Sequence, residues 1–104
     1  MGPKPARRYG SDPGLLVLIS LAAGPRHGHA MLRDIGEFSG ARLGPGTLYG
    51  AIERLEQDGL IEPLPTEDRR TPYRLTHEGA RYLAGRADAL ERLVGVFRQR
   101  RAEA

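Results

Sequence analysis

Apolar and polar positions follow three different rhythms along this chain, and the rhythm changes wherever glycine and proline cluster. From Leu15 to Ala23 the run LLVLISLAA is apolar nearly all round. Asp12 can accept from the first free helix N–H groups, and Pro13 lacks an N–H where none is needed. A first helix is predicted from Pro13 to about Ala23, ended by Gly24-Pro25. Its lack of a polar face predicts burial on several sides, in part against a second subunit, with Leu15 and Leu18 among the contacting residues.

A helical period follows. Met31, Ile35 and Phe38 recur at i, i+4 and i+7 within a second helix expected from about His27 to Ser39, stopped at Gly40. A third helix starts at Pro45, with Leu48, Ala51, Ile52 and Leu55 as its core stripe, and closes at Asp58-Gly59. Thr47, Tyr49, Gly50, Glu53 and Arg54 lie opposite or beside that stripe. After Gly59 the period becomes extended. LIEPL and PYRLT, separated by PTEDRRT, predict a small hairpin whose strands are edges or nearly so, because Pro63, Pro65 and Pro72 are costly in a central strand. Tyr73 and Leu75 share one face of the returning strand and Arg74 takes the other. Thr76 then caps a last helix with Glu78 in its first turn and RQRR near its end. Along it Leu83, Ala87, Leu90, Val94 and Phe97 step by 4, 3, 4 and 3, an a/d seam of about two heptads. So short a seam needs another surface to pack on, and a second subunit is the expected one.

Composition sharpens this outline. A length of 104 residues is one domain, with a core small enough to need a partner. There is no cysteine, which removes disulfides and thiolate metal sites and fits an intracellular, cytoplasmic setting. The longest apolar run is about half of a membrane span and follows no charged signal region, so a soluble, unprocessed chain is expected. The net charge is +3, and all but one of the 16 basic side chains are arginine, clustered at Arg7 and Arg8, at Arg69 and Arg70, and at Arg98, Arg100 and Arg101. The planar arginine fork matches phosphate and guanine edges, which favours an anionic partner. Residues 1–12 read as a basic tail with too few apolar side chains to order themselves.

GARLGPGTLYG has glycines in the manner of a phosphate-cradling loop, but no Gly-Lys-Ser/Thr follows and no parallel strand precedes it. His27 and His29 are two positions apart, which faces them differently on a helix, and His77 stands alone, so the histidines are expected in structural or phosphate-facing roles, with no metal and no cofactor. Ser11, Ser20 and Ser39 have no plausible base and orienting carboxylate, which argues against an enzyme. Core packing accounts for Leu48, Ile52 and Leu55 but not for Thr47 and Tyr49 at the helix start. A helix N-terminus attracts phosphate, and a hydroxyl and a phenol there suit backbone oxygens or base edges. With the preceding helix, the short connection and the arginine-tipped hairpin, the reading is a mainly α fold with a small β-hairpin. This is a winged helix-turn-helix over residues 13–76, with a C-terminal dimerisation helix over 77–104. Its third helix enters a DNA major groove and its wing sets Arg69 and Arg70 on phosphates or in the minor groove.

HGHAMLRDI, LGPGTLYGAIERLEQDGLIE and YRLTHEGARYL together resemble the PadR-like regulators, the phenolic-acid decarboxylase regulator family, over roughly residues 15 to 83. The resemblance implies a homodimeric winged-helix DNA-binding protein, commonly a repressor, with C-terminal helical dimerisation. It implies that Thr47, Tyr49 and Gly50 lie at the DNA-facing start of the recognition helix, with Arg54 further along it, and that Arg69, Arg70 and Arg74 belong to the wing. It further implies that the helix after Thr76 crosses to helix 1 of the other subunit. Two departures stand out: Gly44 replaces the serine many members place before the proline, and the absence of tryptophan removes the stacking platform some short members use for planar drugs. A small-molecule effector is therefore left without an identity, and a single C-terminal helix leaves little material for an effector domain. Symmetry predicts a pseudo-palindromic operator. The alternative is a winged helix that binds only proteins.

Overall fold

The structure, a computed structural model, describes residues 12–104. The basic tail, with Arg7 and Arg8, lies outside the described residues apart from Asp12. The elements run α1 (Pro13–Ala22), β1 (Arg26–His27), α2 (Gly28–Ser39), α3 (Pro45–Gln57), β2 (Ile61–Pro63), β3 (Pro72–Leu75) and α4 (His77–Glu103). Helices and hairpin stand in the predicted order, in a winged helix-turn-helix followed by one long helix.

Among the described residues, three of the four helices begin on a side-chain cap. Asp12 Oδ1 accepts from the Leu15 N–H at 3.1 Å, His27 Nδ1 from the Ala30 N–H at 3.3 Å, and Thr76 Oγ1 from the Gly79 N–H at 2.9 Å. Each satisfies one of the N–H groups that a helix start leaves without an internal partner. The α3 helix begins at Gly44 with no side-chain cap.

The core draws Leu16, Val17, Leu18 and Leu21 from α1, Met31 and Ile35 from α2, Leu48, Ala51, Ile52 and Leu55 from α3, and Ile61 from β2. Burial of each larger side chain contributes about 1.5–3 kcal/mol. Two expectations change here. Phe38 continues the α2 stripe by spacing yet is 44% exposed, because it falls in the last turn, beyond the reach of the core. Leu18, expected at a subunit interface, is 1% exposed inside its own protomer's core; the outward α1 side chain is its neighbour Ile19, at 39%. An all-apolar helix carries no sequence mark of which face turns out.

Ser20, 1% exposed, is the one buried polar side chain among the described residues, and it is fully engaged. Its Oγ donates to Asp34 Oδ2 at 2.8 Å, while Arg26 Nε donates to the Ser20 carbonyl at 3.2 Å and stands 3.7 Å from the same carboxylate. This pin joins α1, β1 and α2, and it supplies the partners that a buried hydroxyl requires.

The sheet has three antiparallel strands in the order β1-β3-β2, one more than the hairpin read from sequence. Arg26 pairs with Tyr73 and His27 with Pro72 on one side of β3; Ile61 pairs with Leu75 and Glu62 with Arg74 on the other. So β3 is central rather than an edge. Pro72 is tolerated there because it is the first residue of the strand, where its carbonyl accepts from the Leu64 N–H at 2.8 Å. Beyond the ladder, Glu67 and Arg70 exchange two backbone hydrogen bonds of 2.8 Å around Asp68 (φ 50°) and Arg69 (φ 65°). Two left-handed residues in a two-residue loop are the geometry that matches strand twist in a hairpin, and neither of these is glycine.

The last helix, α4, is seated by its first turn. The Leu60 carbonyl accepts from the Thr76 N–H at 3.0 Å, and a Cβ on buried Gly79 would collide with that same carbonyl. Thr76 Oγ1 also donates to the Gly59 carbonyl at 2.7 Å. Further along, Arg86 reaches the Tyr82 hydroxyl at 3.1 Å and Asp12 at 3.4 Å, tying α4 to the cap of α1. Leu83 packs half-buried on its own core. Past that point the helix projects, and the described residues have a radius of gyration of 15.5 Å, against roughly 13 Å for a compact chain of this size.

Alanine is the better helix former by about 1 kcal/mol, but at Gly79 its Cβ must displace a backbone carbonyl. Urea unfolding of Gly79→Ala is expected to show a net loss of about 1–3 kcal/mol; a gain would mean that α4 can shift without cost. The reverse holds at the wing tip. Glycine relieves roughly 1 kcal/mol of left-handed strain, partly offset by its freedom in the unfolded chain. Arg69→Gly is expected to equal the parent in stability or exceed it by up to about 1 kcal/mol, and a clear loss would reveal a stabilising contact of the Arg69 side chain.

Candidate nucleic-acid interface

The second half of the helix-turn-helix places the start of α3 at the surface. Pro45 and Gly46 open the helix, so Thr47 is its third residue and stands exposed, as does Tyr49 at 51%. Leu48 between them is fully buried, which fixes the rotation of the helix about its axis. Its core stripe turns inward, and Thr47 and Tyr49 are thereby held outward. Gly50 is half-buried, and the exposed Arg54 folds back towards it one turn later.

The wing supplies the second wall. Tyr49, Arg69, Arg70, Thr71 and Tyr73 line one concave recess of about 410 Å³ together with His27, Gly28 and His29. The sheet explains the convergence. The pairing of β1 with β3 brings the start of α2 beside the wing, and Tyr49 lies across that start. Gly28 is buried there, and a Cβ on it would collide with the Tyr49 hydroxyl and ring. Only a residue without a side chain lets the phenol settle so closely. At the back of the recess, burial first, then the nearby Glu56 and Tyr49, raises the Tyr73 phenol above its ordinary pKa. It stays un-ionised at neutral pH and brings no negative charge to the surface.

Of the residues selected from sequence, Tyr49, Arg69 and Arg70 meet in this recess, and Thr47 sits one residue position beyond Leu48 on the same exposed helix start. Arg74 does not join them. Its Nε donates to Glu62 Oε2 at 2.7 Å across the β2–β3 pair, so its charge is met locally and it lies along the sheet rather than at the tip. Sequence reasoning gave the histidines structural or phosphate-facing roles but did not bring His27, Gly28 or His29 together with Tyr49 and the wing. A two-residue strand has no alternation to detect, and its partner lies 45 residues or more downstream. The one signal available was Pro25-Arg26-His27 standing before a glycine. The rings of His27 and His29 are 6.5 Å apart and tilted by 40°, and among the described residues no group of three or more histidine, aspartate or glutamate side chains could hold a metal. No helix among the described residues is long and apolar enough to cross a membrane.

On the far part of α4, Leu90 (40% exposed), Leu93 (66%), Val94 (46%) and Phe97 (59%) form an uncovered apolar stripe. Ala87 is exposed on the same seam. Leu15 and Ile19 on α1 are half-buried and exposed respectively. Large side chains at i, i+3, i+4 and i+7 on a projecting helix make one continuous strip of the kind that marks a docking face.

The sequence matches the profile of the Transcriptional regulator PadR-like family over residues 16–85. It is 46% identical, over 85 residues, to an uncharacterized 37.1 kDa protein in transposon TN4556 of Streptomyces fradiae. That match takes in 82% of this chain and 25% of the other, so the chain spans about a quarter of the transposon protein's length. Among solved structures it is similar to a transcriptional regulator from Clostridium thermocellum, with a TM-score of 0.76, 27% identity and coverage of 95% and 96% of the two chains. A PadR family transcription regulator from Clostridium difficile aligns with a TM-score of 0.76, 25% identity and coverage of 84% and 95%. For a PadR family transcriptional regulator from Eggerthella lenta the values are 0.71, 27%, 90% and 83%. A profile that runs from α1 into the first turns of α4, and solved regulators that superimpose over most of the chain, show that this protein belongs to the PadR-like family of DNA-binding transcriptional regulators.

Proposed function

We propose that this chain acts in the cytoplasm as a homodimeric, sequence-specific repressor. Residues 13–76 form its DNA-binding unit and residues 77–104 its dimerisation helix. The observation that carries the reading is the recess shared by Tyr49, Arg69 and Arg70, which sets a reading helix and two wing cations on one concave surface. Thr47, Tyr49 and Gly50, with Arg54 behind them, face the major groove and carry sequence preference, while Arg69 and Arg70 neutralise phosphates or enter the minor groove. Arg74 acts on the wing indirectly, by holding β2 to β3 through Glu62.

The strained tip supports this assignment. Asp68 and Arg69 occupy a backbone region where glycine or asparagine is at ease. Keeping an arginine at such a position costs stability, and strain of this kind collects at functional sites. For the dimer, the support is the uncovered strip of Leu90, Val94 and Phe97 on α4, with Ala87 on the same seam and Leu15 and Ile19 offered by α1. Leu83 anchors the root of the helix to its own protomer. A two-fold axis between such subunits demands a pseudo-palindromic operator whose half-sites lie about one helical turn, roughly 34 Å, apart. Repression then follows by occupancy: a dimer spanning two successive turns of a promoter blocks the same face of the duplex that a polymerase needs.

Binding to a duplex selected from a random library should be salt-steep, with a slope near −0.9 for each phosphate neutralised. Tyr49→Ala and Arg70→Ala are each expected to weaken it by roughly 1–3 kcal/mol in fluorescence anisotropy, with the dimer intact; unchanged affinity in both would remove this surface from the interface. Leu90→Glu places a charge without a partner in the strip and should yield a monomer in analytical ultracentrifugation. A Leu90→Glu dimer would mean the subunits meet elsewhere.

A further inference from the structure

His27 is asked for more than an imidazole can give. Its Nδ1 stands 3.3 Å from the Ala30 N–H at the start of α2, in the position of a cap. Its Nε2 stands 3.3 Å from Nη1 of Arg70, brought over from the wing 43 residues downstream. Both neighbours are donors, since a backbone amide nitrogen offers only its N–H and a guanidinium has no acceptor. A neutral imidazole has one acceptor nitrogen and one N–H, so it serves one neighbour and not the other. With Nδ1 committed to the cap, Nε2 carries the proton, and Nε2–H and the Arg70 N–H groups face each other across the gap.

Among the described residues no side chain supplies the missing acceptor. Glu67 and Asp68 line the adjoining recess with His27, Arg70 and Pro72, but no ion pair among the described residues involves Arg70. Two donors converging at the edge of a cationic recess form a site for one anionic oxygen. It opens beside Tyr49 and Arg69, on the surface read above as facing DNA.

We propose that His27 and Arg70 together grip a single backbone phosphate of the operator, with Nε2–H and the guanidinium donating to its free oxygens. The proposal rests on the DNA-facing reading of this surface and deepens it, because it makes the loop before α2 a contact and links that contact to the wing. One phosphate then ties the wing to the helix-turn-helix. Register along the duplex is fixed at the point where the two parts of the fold meet, and Tyr49, seated on Gly28 next to His27, is positioned from the same point.

Asparagine and serine both retain an oxygen that can cap Ala30 but lack the second ring nitrogen, so His27→Asn and His27→Ser separate the cap from the phosphate contact. With the full chain and the library-selected duplex, each is expected to bind roughly three- to tenfold more weakly, with an unchanged melting temperature in at least one of them. Combining the better-folded variant with Arg70→Gln should cost less than the product of the two single losses, because both donors serve one group. Replacing phosphates one at a time by neutral methylphosphonate should reveal one position per half-site where the parent loses affinity and the His27 variant does not. Parent-like binding by the well-folded His27 variant, or multiplicative losses with no such phosphate, overturns the shared grip. If Tyr49→Ala weakens binding while the His27 variant does not, the grip alone fails; if neither changes it, or no duplex is selected, the DNA-facing reading falls with it.

Discussion

Burial of α1 on every side but one is the constraint from which the rest of this small domain follows. Ten residues with almost no polar side chain cannot rest on a surface, so α2, α3, β3 and the root of α4 all gather on them. The cost of so apolar a helix is that its hydrocarbon side chains alone do not fix its rotation. Ser20 performs that task through Asp34 and Arg26, a buried hydroxyl that is satisfied in one orientation of the helix only. Once α1 is fixed, the Leu48 and Ile52 stripe of α3 has a single place to pack, and the exposed edge carrying Thr47 and Tyr49 is fixed with it.

The second organising point is the Leu60 carbonyl. It receives the Thr76 N–H and lies against Gly79, so the direction in which α4 leaves the body is set by backbone contact rather than by adjustable side chains. In the proposed dimer this direction, with the Arg86–Asp12 tie, determines how far apart the two reading heads stand. A regulator that measures half-site spacing needs a stiff arm. The glycine at 79 is what permits backbone-to-backbone contact at its shoulder.

Much of the fold was legible in the residues because several independent signals coincide: Asp12-Pro13, Pro45 and Thr76 start helices, Gly40 ends one, and the shift from helical to extended rhythm after Gly59 marks the wing. The illegible parts depend on contacts between distant segments. β1 is two residues long and exists only because β3 offers it a free edge. Phe38 keeps the spacing of a core residue and runs past the end of the core. Leu18 and Ile19 are equally apolar neighbours, and only the packing around α1 decides which turns inward. The site divides in the same way. Thr47 and Tyr49 could be selected because core packing left them unexplained, the Arg69-Arg70 pair because it clusters between the two strands of the hairpin, and Arg74 through the family resemblance. The engagement of Arg74 with Glu62, and the arrival of His27 beside Arg70, are tertiary events with no local signature.

Of the four helices among the described residues, α3 alone starts without a side chain to close its first turn, at Gly44. Its first amides lack the side-chain acceptor that the starts of α1, α2 and α4 each have, and a helix end without one forgoes that stabilisation. An outside oxygen that settles on those amides does what Asp12 and Thr76 do for their own helices. Occupancy and helix order are then two readouts of one equilibrium: whatever free energy a ligand gains from this end is the free energy by which the end becomes ordered. Amide exchange at the start of α3 would thus slow in step with the binding of such an oxygen, a readout carried by the backbone alone.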